Sequence, residues 1–143
     1  MGRMNIDKAK YVIAEIKSIP RYEKIIANLD GKMMDIAARI ETIQSPSCSL
    51  GHIGPGSATP KSKVSVINEL LSDESRLIQE QDEFKAMKRR AEKYKALVYV
   101  THESESQFLH DFFEGKPYGW IAQKHNVTNV YKKALALVSK VEV

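Results

Sequence analysis

The chain has a single cysteine, Cys48, in 143 residues. One thiol makes no internal disulfide and no cysteine metal cluster, so neither a disulfide framework nor a zinc module is expected. Long apolar runs are missing too. The longest, such as residues 96–100, contain five residues. A membrane-spanning helix needs about 20 and a secretory signal core roughly 7–15. Met1-Gly2 is followed by Ile6 where a myristoylation signal carries Ser or Thr, so that anchor is not expected. Strand signal is almost absent: Val98, Tyr99, Val100 and Thr101 favour β structure but have no partner strand, and they read as a helix end. The default expectation is a cytoplasmic protein.

What is present is an ordinary complement of charge, unevenly placed. Lys and Arg total 22 against 18 Asp and Glu, a net charge of +4. Residues 101–143 balance, five cations against five anions. That balance hides a partition. Glu103, Glu105, Asp111 and Glu114 come first, and the next acid is Glu142. Between them Lys116, Lys124, Lys132, Lys133 and Lys140 share an acid-free stretch with His125. A second basic block, residues 85–95, sets six cations against Glu92 alone. Local positive surface suits a polyanion, and a solvated helix face is the plainer reading of the same residues.

Periodicity organises the rest. Residues 7–18 predict a helix with Tyr11, Val12, Ile16 and Ile19 on one face, and Pro20 ends or re-initiates it. Tyr22, Ile26, Leu29, Met33, Ile36, Ile40 and Ile43 then alternate steps of four and three, a heptad seam that wants a partner helix. Gly31 lies inside it. Residues 44–62 hold three of the five prolines and three of the seven glycines, with five serines, and predict a surface loop. Its glycines before Lys61-Ser62 look like a P-loop, but Pro60 takes the place of the essential glycine and no strand precedes it. Residues 63–101 contain no proline or glycine. Ile67, Leu70, Leu77, Phe84, Ala91 and Val98 continue a seam with polar layers at Glu74, Gln81, Lys88 and Lys95. The two seams pair either within one chain or between two copies, as a homodimer.

The C-terminal third carries a more specific pattern. Phe108, Leu109, Phe112 and Phe113 predict a buried helix face that stops at Gly115. Pro117 starts a second helix, with Trp120, Ile121 and His125 facing inward. Asn126 tolerates the left-handed conformation of a tight turn. Thr128 caps a third helix over 129–140, with Tyr131, Leu135 and Val138 buried. Three short helices with a tight turn between the last two follow the helix-turn-helix plan.

The segment FFEGKPYGWIAQKHNVT resembles the signature of sigma-factor region-four helix-turn-helix domains, through Gly115, Tyr118, Ile121-Ala122 and Thr128 in the family's serine place. The order of parts is similar to small phage transcription regulators of the RinA/ArpU type. The motif covers roughly residues 107–140, and the remainder agrees in layout alone. Between Ile121-Ala122 and Val130-Tyr131 lie residues 123–129, a shorter spacing than the family pattern, which leaves the register of the third helix open. The resemblance implies a DNA-binding transcriptional regulator, a phage or prophage late-gene activator in the cytoplasm of a bacterial host. Its partners would be double-stranded DNA and RNA polymerase.

The expected fold class is therefore all-α: a long antiparallel helical hairpin with a C-terminal helix-turn-helix module. Its parts are N-terminal helices over 1–43, a loop over 44–62, a long helix over 63–101 and the DNA-binding module over 102–143. The candidate DNA contacts are Lys116, Tyr118, Lys124, Thr128, Asn129, Lys132 and Lys133. Cations meet phosphates, while Asn129 suits an adenine edge and Thr128 suits a phosphate. Trp120 reads more as core than as a base-stacking residue. The four histidines show no metal-ligand spacing and Cys48 has no base nearby, so no catalytic residue, metal or cofactor is expected. Two alternatives remain. One is a small terminase subunit, where the DNA-binding module normally comes first. The other is a helical adaptor for polymerase or a host protein, marked by an apolar stripe left over after the hairpin forms.

Overall fold

A computed structural model describes residues 4–45 and 62–142. Most of the expected loop, including Cys48 and the Pro60-Lys61 step, lies outside the described residues. The described residues form an all-helical fold. Its elements are α1 (Ile6–Lys17), α2 (Ile19–Gln44), α3 (Lys63–Thr101), a short 3₁₀ turn (Glu103–Glu105), α4 (Ser106–Phe113), α5 (Tyr118–His125) and α6 (Val130–Ser139). No helix among the described residues is long and apolar enough to cross a membrane.

Local chemistry accounts for the boundaries. Asn5 caps α1, its side-chain oxygen accepting from the Lys8 N–H at 2.7 Å. Ser18 marks the break after α1, with its hydroxyl donating to the Ala14 carbonyl at 2.7 Å. Pro20 then sits in the first turn of α2, where a missing N–H costs nothing, so it re-initiates the helix. Residues 98–101 close α3 as helix, their β propensity overridden by the 39-residue helix they continue.

The chain divides into two compact units, Met1–Glu23 with Ala86–Val143, and Lys24–Lys85. The boundaries expected at residues 43 and 101 therefore do not coincide with the compact units. Both long helices are shared, because a helix of 26 or 39 residues outruns the core that either end can join.

In the unit Lys24–Lys85 the heptad reading holds position by position. Leu29, Ile43, Leu70 and Leu77 are buried. Ile26, Met33, Ile36, Ile40, Ile67 and Phe84 are half-buried, while most positions between them face solvent. Gln81 is the polar layer, only 4% exposed. Its amide nitrogen donates to the Ile26 carbonyl at 3.0 Å and to Asp30 Oδ1 at 2.6 Å. A buried amide so satisfied costs little, and a shifted register would leave it unpaired.

In the other unit, α1 buries Ala9, Val12, Ile13 and Ile16. It packs along α6 and against α4. Tyr11, expected on the buried face, is 46% exposed instead. The buried stripe runs 9, 12, 13, 16, which places position 11 well to one side. Phe108, Leu109, Phe112, Ile121, Val130, Ala134, Val138 and Val141 complete the core with Ala91 and Val98 of α3. His102, at the end of α3, joins α6 through its ring Nε2, 2.6 Å from the Leu137 carbonyl.

Candidate nucleic-acid interface

The three C-terminal helices are set by two left-handed residues. Gly115 has φ +79°. Its N–H bonds the Phe112 carbonyl and the Lys116 N–H bonds the Asp111 carbonyl, both at 3.2 Å. This is the Schellman pattern, which satisfies the last carbonyls of α4 and turns the chain sharply. Asn126 ends α5 with φ 54° and ψ 53°. The Val127 N–H then bonds the Ala122 carbonyl at 2.9 Å. Both turns fall where the sequence placed them.

The start of α6 differs. Asn129, not Thr128, is the N-cap, and its Oδ1 accepts from the Lys132 N–H at 3.1 Å. Asn caps a helix at least as well as Thr, and starting at Val130 puts Val130, Ala134 and Val138 on the buried face. Tyr131 and Leu135, expected in the core, are half-buried on its flank. This fixes the register that the sequence left open. It also removes a bidentate adenine contact by Asn129, whose acceptor is engaged in the cap.

The exposed face of α6 then consists of Asn129, Lys132, Ala136 and Lys140. Their spacing of three and four places them in one row along the helix. Lys133 lies outside it. Its ammonium is 3.0 Å from Glu105 Oε2 and 4.7 Å from the centre of the Phe108 ring, so it ties α6 to the 3₁₀ turn and α4.

The other candidates divide in the same way. Lys116 and Thr128 are exposed. Tyr118 is 44% exposed, but its ring stacks on Phe112 at 5.9 Å and its hydroxyl accepts from Lys17 Nζ at 3.3 Å. Lys17 also sits 4.1 Å from the Phe112 ring centre, which anchors α1 to α4 and α5. Lys124 bonds Asp111 Oδ2 at 2.9 Å and covers the Trp120 ring at 4.8 Å. Trp120 is not core: it is 45% exposed, because Ile121 is the buried position of α5 and Trp120 lies a hundred degrees around the helix from it.

Asp111 is the electrostatic centre of this region. It is buried within α4, and His125 Nε2 lies 2.7 Å from the same Oδ2 that Lys124 approaches. The His125 hydrogen bond first, and then that from Lys124, hold the Asp111 carboxyl below its ordinary range, against the opposing effect of burial. The His125 ring meets Phe108 edge-on at 5.6 Å. The Asp111 network thus joins α4 to α5. The sequence offered the opposite charges but not their meeting, since Asp111 and His125 are fourteen residues apart.

Among the described residues, no three His, Cys, Asp or Glu side chains come together as a metal site. Comparison with protein-family models, with curated proteins and with solved structures finds no match.

Proposed function

We propose that this chain is a double-stranded-DNA-binding regulator in which α4, α5 and α6 act as a helix-turn-helix and α6 enters the major groove. The observation that carries the reading is the open row Asn129, Lys132, Ala136 and Lys140. It sits on a helix whose opposite face is fully built into the core. A recognition helix needs that combination: rigid support behind, with cations and small side chains in front. Ala136 permits close approach and an apolar contact to a thymine methyl, while Lys132 and Lys140 reach phosphates. Lys116 and Thr128 are free to contact the backbone. Lys124, Lys133 and Tyr118 serve mainly to hold the module together. In this reading α2 and α3 form the antiparallel hairpin that carries the module, supported by the bonds from Gln81 to Ile26 and Asp30 within one chain. The resemblance to sigma-like phage regulators makes late-gene activation the biological role to test first, with RNA polymerase as second partner.

A second reading, a helical adaptor, is favoured by one specific observation. Val64, Leu71 and Ile78 of α3 are exposed and spaced by seven residues, an apolar stripe outside the seam. Sequencing the duplexes that the full chain retains from a genomic pool separates the two readings. The regulator predicts enrichment of a shared sequence. A chain that retains no duplex at low salt would leave the adaptor.

A further inference from the structure

The basic block of α3 is split by its contacts. Lys88 is the cation of this block with ion-pair partners, 3.6 Å from Glu23 and 3.6 Å from Glu92. Glu92 is the sole acid in the block, and its carboxylate is directed at Lys88. Arg89, Arg90 and Lys93 are exposed, and no ion pair among the described residues engages them. They lie within one turn of each other, at i, i+1 and i+4. Arg90 and Lys93 line a groove of about 500 Å³ together with Tyr94, Leu97 and Glu142. Lys8 of α1 adds a fourth cation, 6.0 Å from the centre of the Tyr94 ring.

We propose that Arg89, Arg90, Lys93 and Lys8 form a second duplex-contacting surface that grips the phosphate backbone without reading sequence. The proposal rests on the DNA-binding reading of the chain and extends it from α6 to α3. A row of phosphates is the occupant this surface fits: two guanidiniums offer forked donors that match phosphate oxygens, and the lysines add point charges. An acidic protein partner is the competing occupant. Among the described residues lining the groove Glu142 is the opposing charge, and it weakens the contact it borders.

The test is fluorescence anisotropy of the full chain on a labelled duplex, with log Kd followed against log salt. Each phosphate contact contributes a slope of roughly 0.9. Arg89→Ala/Arg90→Ala/Lys93→Ala should therefore lower the slope by about 2–3 while the circular dichroism spectrum is retained. The shift should be equal on unrelated duplex sequences, as backbone contacts require. Glu142→Gln should tighten binding at low salt, and it keeps the test open should the triple variant fold poorly. An unchanged slope in the triple variant, or no tightening with Glu142→Gln, overturns the proposal. A slope lowered by Lys132→Ala but not by the triple variant would sink this surface and leave the α6 reading intact. No duplex binding by the parent chain would remove both.

Discussion

Asp111 shows how much one side chain decides here. Its carboxylate receives Lys124 and His125 from α5 and is buried in α4, so the pairing of these two helices depends on its charge. A carboxyl held low in the folded state adds stability that is present above the unfolded range, near pH 4, and lost as pH falls through the folded value. Thermal melts should therefore show stability falling on acidification below about pH 4. Asp111→Asn should flatten that acid limb and lower the melting temperature at neutral pH. An Asn variant with the parent's acid limb and melting temperature contradicts this role. Asn129 is a simpler case. Replacing the cap should cost about 1 kcal/mol, whereas Thr128→Ala should be nearly silent, as urea denaturation of both variants will show.

Residue identity was legible where one local rule applied and obscure where two competed. Gly115 and Asn126 were legible because only a few residue types tolerate the left-handed region, and both adopt it. Thr128 and Asn129 are both good caps in adjacent positions, so composition alone did not choose between them. The core did, by requiring Val130, Ala134 and Val138 to face inward. The same one-residue shift exchanged Tyr131 and Leu135 for Val130 and Ala134 in the buried row. Lys133 and Lys124 looked like surface cations because their partners, Glu105 and Asp111, lie on other elements. Charge partition along the sequence cannot report such distant pairs.

At the scale of elements, the heptad seams were the most legible feature, since burial every three or four residues is written directly into the pattern. The polar layer at Gln81 was visible as a break, but its role as the bonded partner of Ile26 and Asp30 was not. Helix α1 was the largest surprise. Its stripe of Ala9, Val12, Ile13 and Ile16 was legible as amphipathic, yet its partner is α6, more than a hundred residues along the chain. Periodicity tells that a face is buried and says nothing about what covers it. Gly31 offers a clean check on α2. It is helical and exposed, and a methyl group there would meet nothing within 4 Å. Gly31→Ala should stabilise the protein by about 0.4–1 kcal/mol, seen as a raised denaturation midpoint. A loss of stability would mean that α2 bends or packs at that point.

For the whole molecule, the modest net charge of +4 understates the local fields. Residues 69–83 of α3 carry six acids against Arg76 alone, and residues 85–95 carry the reverse balance. The acid-free C-terminal stretch adds a second positive region. Sequence made these asymmetries plain. It could not say which cations are consumed internally, and that distinction separates Lys132 from Lys133. In the proposed DNA complex the open row of α6, rather than the acid-free segment in general, meets the duplex. The most direct measurement is the salt dependence of duplex binding by the parent chain, Lys132→Ala and Lys133→Ala, with folding checked by circular dichroism. Lys132→Ala should lower the slope by roughly one and leave stability unchanged, whereas Lys133→Ala should lower the melting temperature and keep the parent slope. Equal slopes for the parent and Lys132→Ala, or a slope lost through Lys133→Ala alone, would contradict this contact.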